Sequence, residues 1–316
     1  MSEAHIPLLS KLAVDVVSTL MYYDIFHYPL TLTEIYHCSK LKNITQEEVL
    51  HAVQWLCEQK MIYKIGEFYL FTDDENYVIQ RKKNNAQAEK VMPIAFKMAK
   101  LIAFFPYTRA IMISGGLSKN VFPEDGDIDF FIITKPQRLW LSRTLLVAFR
   151  KLFLFNSHKY FCVNYFIDEE NMTIDNHNLF TATELAYLLP VYGKQLYEPF
   201  MQKNEWVKEY FPYFPLRDTT KVPDLKYSWF KRIIEAIFNT KLGEYLDEWC
   251  MNLTLKYRQK KFGHFSKQDF EVALKARKYV AKHHPNHFQK RVFDALAQRK
   301  QAFEEKFQVK LDISKS

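Results

Sequence analysis

Two short runs hold the residues whose types and spacing could do chemistry. The first is Ile113-Ser114-Gly115-Gly116-Leu117-Ser118-Lys119-Asn120, and the second is Gly126-Asp127-Ile128-Asp129-Phe130. Of the seven glycines in the chain, three (Gly115, Gly116 and Gly126) fall in this stretch. Alternate side chains of a strand share a face. Asp127 and Asp129 are therefore expected to point the same way, about 7 Å apart at roughly 3.3 Å per residue. Two carboxylates so placed repel each other unless a cation lies between them. Hard oxygen ligands suit Mg²⁺, which binds through one or two carboxylates and takes phosphate oxygens and water for the rest. A glycine turn lets backbone N–H groups approach a phosphate without side chains in the way, and Ser118 could add a hydroxyl donor. The implied chemistry is that of a phosphate-bearing ligand held through a divalent metal.

The flanking patterns predict the elements that must position these residues. Arg109 to Ser114 reads as a buried strand, the glycines as a loop, and Asp127 to Thr134 as a second strand. Gln137 to Phe155 reads as a helix and Tyr160 to Ile167 as a third strand. Strand, strand, helix, strand in this order predicts an α/β (α+β) core with a small mixed sheet. Upstream, residues 9 to 71 predict three helices and a hairpin turning at Gly66. Thr45 and Glu48 form a capping-box pair at the start of the third helix. Residues 73 to 85, polar and charged, suit a linker before a helix from about Ala86 to Phe104. After Thr181 the pattern is helical and aromatic-rich, without a strand signal of comparable strength. Pro212, Pro215 and Pro223 mark a break near 211 to 224. The expected organisation is an N-terminal domain over residues 1–72, a core over 86–180 and a helical C-terminal region over 181–316.

Gly-Gly, a spacer, then Asp-Ile-Asp between apolar strands resembles the DNA polymerase β-like nucleotidyltransferase superfamily. The match covers about Arg109 to Ile167, and the N-terminal pattern resembles a winged-helix domain. The superfamily resemblance implies nucleotidyl transfer, in which an acceptor hydroxyl attacks the α-phosphate of a nucleoside triphosphate. It makes Gly115 and Gly116 the turn that holds the triphosphate, with Ser114, Ser118 and Lys119 beside it as candidate binding residues. Asp127 and Asp129 become the ligands of Mg²⁺ or Mn²⁺, and catalysis is positioning and charge neutralisation. The sequence also departs from the family pattern. Asn120 stands where glycine is frequent, and Asn is the next best residue for a left-handed backbone. Catalytic members place a third carboxylate on the next core strand, where this chain has Asn164. Asn can coordinate through its carbonyl but cannot take a proton from a hydroxyl. Asp168, at the strand end, is the alternative if the register differs.

The remaining signals concern partners and compartment. The chain of 316 residues carries a net charge of +8, and Lys226 to Lys315 holds 20 Lys and Arg against 10 Asp and Glu. Such a surplus is either a solvated helical face or a surface for the backbone of RNA or DNA. The acidic third helix of the N-terminal domain (Glu47, Glu48, Glu58) argues against DNA reading there and for contact with a protein or packing. His283-His284-Pro285-Asn286-His287 reads as a polar corner between helices rather than a metal site. Arg138, Trp140 and Arg143 open the helix after the second strand, where they either touch a ligand or pack. Cys38, Cys57, Cys162 and Cys250 are scattered without a CxxC pair, as expected of reduced thiols in a cytoplasmic protein. No apolar run reaches the roughly 18 residues of a membrane span, and the N-terminus lacks a signal-peptide pattern. The competing reading is a non-catalytic descendant that binds nucleic acid or a protein partner. A toxin–antitoxin-type module rests on fold analogy alone.

Overall fold

The structure, a computed structural model, describes residues 9–226, 228–284 and 288–311. The N-terminal residues on which the signal-peptide expectation rests lie outside them. The first unit opens with α1 (Lys11–Asp24), capped by the Ser10 hydroxyl, which accepts from the Ala13 N–H. β1 (Leu30–Thr31), α2 (Leu32–His37) and α3 (Gln46–Glu58) follow. Both helices after α1 begin with reciprocal capping boxes, Thr31 with Glu34 and Thr45 with Glu48. The hairpin of β2 (Tyr63–Ile65) and β3 (Phe68–Leu70) turns at Gly66, which takes φ +62°. β1 pairs with β3 and completes a three-stranded antiparallel sheet.

The segment expected to be a linker is helical. α4 (Glu75–Phe104) starts at the Asp74 cap, well before Ala86. The cause is Arg81, whose guanidinium grips both oxygens of Glu34 at 2.9 and 2.7 Å and covers the rings of Tyr28 and Phe68. The charged run is thus an interface that fastens α4 to the first unit.

The central elements come in the expected order: β4 (Thr108–Ser114), the one-turn helix α5 (Gly115–Ser118), β5 (Asp129–Thr134), α6 (Leu139–Phe153) and β6 (Cys162–Asp168). β4 and β5 are antiparallel, whereas β5 and β6 are parallel, and α6 supplies the crossover that a parallel pair requires. The chain continues through α7 (Leu179–Ala186), β7 (Leu189–Tyr192), α8 (Tyr197–Lys203), α9 (Trp229–Phe238), α10 (Lys241–Lys261) and α11 (Lys267–Leu274). It ends with β8 (Ala276–Arg277), β9 (Val280–Lys282) and α12 (Phe288–Phe307). The result is a six-stranded mixed sheet in the order β7-β4-β5-β6-β9-β8.

The C-terminal region is mostly helical, as expected, but three strands of the sheet also come from beyond residue 180. They escape notice for physical reasons. β7 contains Pro190, tolerated because β7 is an edge strand, and β8 and β9 are two and three residues long. Both faces of the central strands are buried, which explains their unbroken apolar runs. Ile111, Ile113, Phe130 and Ile132 pack with residues of α4 and α6. Ala110, Met112, Phe131 and Ile133 pack with residues of α7, α8 and the N-terminal unit. From α9, Glu235 takes both terminal nitrogens of Arg109 at 3.0 and 2.8 Å, which pins the start of β4. Among the described residues no helix is long and apolar enough to cross a membrane.

Candidate functional site

The site lies where β5 and β6 begin side by side. Asp129 pairs with Cys162 in the ladder, and the Ile128 N–H reaches the Lys159 carbonyl at 2.8 Å. Asp127 precedes the strand, which starts at Asp129 rather than at Asp127. The two carboxylates and the Cys162 thiol lie within 4.8 Å of one another. Burial, then the charge of Asp127, pushes the Asp129 carboxyl up. Burial, then the two aspartates, pushes the Cys162 thiol far up, so it stays protonated. Cys162 was read from sequence as a core thiol, and nothing in its spacing marks it as a neighbour of the pair.

Asn164 owes its position to a β-bulge. Phe130 faces Val163 while Phe131 faces Tyr165, which leaves Asn164 as the extra residue. Bulges of this kind re-aim a side chain. Here the amide Nδ2 donates to Asp129 Oδ1 at 2.6 Å, while Asn164 Oδ1 is buried with no partner. Asp168 does not substitute. It sits opposite Thr134 at the far end of the ladder, accepting the Glu170 and Asn171 N–H groups.

The glycine turn is fitted to the same cluster. Gly115 has φ +65°, and a Cβ there would run into the Asp129 carboxylate, while one on Gly116 would meet the Val121 carbonyl at 2.9 Å. Ser114, paired with Asp129 across the sheet, lines the cleft together with Gly115, Gly116 and Lys119. Ser118 is buried, and its hydroxyl donates to the Gly115 carbonyl, so it stitches the turn. Lys119 Nζ also reaches that carbonyl at 3.0 Å and pairs with Glu184 of α7 at 2.9 Å. Glu184, whose charge is felt at Asp129, is a cleft carboxylate that the sequence did not single out.

The cleft has a volume of about 1690 Å³ and, besides the aspartates, a basic wall formed by Arg143 and Arg150 of α6, Arg258 of α10, and Lys282 and His283. His283 and His284 follow directly on β9, so a strand and not a helix leads into them. Their N–H groups donate to the Asn164 and Ala273 carbonyls, and Pro285, Asn286 and His287 lie outside the described residues. Burial, then Arg258 and Arg143, lowers the His283 pKa to about 3, and burial, then Lys282, lowers that of His284 to about 4. Trp140 is core, its indole N–H on the Arg277 carbonyl at 2.8 Å. Arg138 ties α6 to the carbonyls of Phe238 and Thr240.

The donor set fits a hard divalent cation: two carboxylates that repel each other, and beside them an amide oxygen with no partner. The protonated thiol is the one soft atom in the group. Protein-family models, curated proteins and solved structures were compared with the chain, and none of the three matches it.

Proposed function

We propose that the chain has a nucleotidyltransferase-type core beside a winged-helix-like N-terminal unit, and that it transfers a nucleoside monophosphate from a nucleoside triphosphate to an acceptor hydroxyl. The observation that carries this reading is the convergence of Asp127 and Asp129, with the Asn164 amide on Asp129, next to a glycine turn into which only glycine fits. Asp127 and Asp129 would hold Mg²⁺ or Mn²⁺, which when bound supplies charge to phosphate oxygens. Ser114, Gly115, Gly116 and Lys119 border the space for the triphosphate, and Ser118 keeps that turn in shape. The acceptor oxygen would form a bond to the α-phosphorus while the bond to pyrophosphate breaks. Glu184, a cleft carboxylate, would take the acceptor's proton, since Asn164 cannot. The four unpaired cysteines suit a reducing, cytoplasmic setting.

The absence of a carboxylate at Asn164 favours a second reading, a non-catalytic descendant that binds nucleic acid or a protein partner. One experiment separates the two. Thermal and denaturant unfolding is followed with each NTP, with and without Mg²⁺, for the native chain and for the double variant Asp127→Ala, Asp129→Ala. A nucleotide at a hundredfold excess over its Kd should stabilise the native chain by about 2.7 kcal/mol. That gain should require the metal and vanish in the double variant. Stabilisation by no nucleotide would remove the transfer reading.

A further inference from the structure

The basic wall of the cleft has no counterpart in the reading above. Arg143 and Arg150 stand seven residues apart on α6, two turns along one face, and Arg258 comes from α10. One buried indole brings two of them together. The guanidinium carbons of Arg143 and Arg258 lie 5.7 and 5.8 Å from the Trp140 ring centre. Arg258 is 1% exposed and Arg150 9%. Arg258 gives Nη1 to the Leu274 carbonyl at 2.9 Å, but its Nε and Nη2 have no partner. Arg150 Nη1 meets His158 Nδ1 at 3.1 Å, and its Nε has none. His283 Nδ1, in the same group, also lacks a partner. Among the described residues no carboxylate pairs with any of the three arginines.

A buried charge without a counter-charge costs several kcal/mol, and arginine cannot escape that cost by shedding its proton at neutral pH. Burial, then the neighbouring guanidinium, lowers Arg143 to about 10 and Arg258 to about 9, which leaves both charged. An anion with several acceptor oxygens would satisfy the open donors and the charge together. Guanidinium forks match phosphate oxygens in pairs, whereas a carboxylate offers only two oxygens in one plane.

We propose that Arg143, Arg150 and Arg258, with His283 at their edge, form a binding site for a phosphoryl group in the same cleft as the aspartate pair. His158 joins the two ends, lying 3.1 Å from Arg150 Nη1 and 3.9 Å from the Cys162 thiol. The phosphoryl group belongs either to the polyphosphate tail of the nucleotide or to a phosphorylated acceptor. That choice of source rests on the transfer reading, whereas the phosphate site itself does not.

The test is calorimetric titration of the full chain with inorganic phosphate and with pyrophosphate, in EDTA. Binding is expected in the native chain and in Asp127→Asn, and at least tenfold weaker in Arg150→Gln and Arg258→Gln. Should these fail to fold, Arg143→Lys keeps the charge and loses the fork, and the same weakening is expected. No binding by the native chain, or equal binding by native chain and variants, overturns the proposal. A second titration is made with nucleotide and Mg²⁺ already saturating. Pyrophosphate excluded there assigns the site to the nucleotide's tail, and pyrophosphate still bound assigns it to the acceptor. Phosphate binding without any nucleotide binding would end the transfer reading and leave this site standing.

Discussion

The two ends of the cleft present the same electrostatic problem with opposite signs. At one end Asp127 and Asp129 crowd together, and at the other Arg143, Arg150 and Arg258 do. They differ in how they can relieve it. A carboxyl can take up a proton, and Asp129 is pushed in that direction, so the acidic end has a resting form. The guanidiniums have none, and the repulsion among them persists until an anion arrives. The acidic end is therefore adjustable and the basic end is fixed. A cleft built this way is prepared for a ligand that brings positive charge to one end and negative charge to the other, as a metal-bound phosphate ester does.

Three changes would break or sharpen this contrast. The largest effect is expected at Glu235, which neutralises a buried arginine outside the cleft. Burial pushes the Glu235 carboxyl up, but Arg109 and the Tyr107 N–H outweigh it and hold the group below its ordinary range. Glu235→Ala should remove the bidentate carboxylate from buried Arg109 and destabilise the fold by about 3–5 kcal/mol, measurable by urea unfolding. A loss under 1 kcal/mol would mean that this pair contributes little to holding β4.

The next concerns pH. His283 and His284 have folded pKa values near 3 and 4, below the unfolded value of about 6.5. The unfolded chain thus binds more protons between those limits, so stability falls as pH drops below about 6.5. Unfolding midpoints from pH 7.5 to 4.5 should show the fall, and His283→Gln with His284→Gln should flatten it. A double variant with an unchanged slope would remove these rings as its source.

The smallest effect has the opposite sign. Arg143→Met keeps the side-chain volume over Trp140 and removes one of the repelling charges. In phosphate-free buffer it should stabilise the chain by about 1 kcal/mol, seen as a raised Tm. A lowered Tm would show that the guanidinium is held by something more than its stacking.

The acidic end was legible in the sequence, and of the basic end only Arg143 was singled out. Gly115-Gly116 and Asp127-Ile128-Asp129 lie close together in the chain, flanked by strands whose unbroken apolar runs announce burial. Arg143 and Arg258 become neighbours only when α6 packs on α10, and no local pattern marks that. Cys162 joined the aspartates through parallel pairing of β5 with β6, again a long-range event. The capping box at Thr45 was readable because both partners lie within four residues. β8 and β9 were not, because strands of two and three residues take their conformation from the sheet they join. The charged stretch before Ala86 misled for a related reason. Arg81 looks solvated until Glu34 is seen to meet it.

The strand order also governs how the chain can be assembled during synthesis. β4, β5 and β6 are made early, yet their outer neighbours come late: β7 begins at Leu189 and β9 only at Val280. Until those residues leave the ribosome, both margins of the nascent sheet expose unpaired N–H and C=O groups, the kind of edge on which other chains can pair. The aspartate end can thus take shape before α10 exists, and the arginine end cannot. A truncated product would carry an incomplete cleft, open-edged and without Arg258, and be a substrate for chaperones rather than for nucleotides.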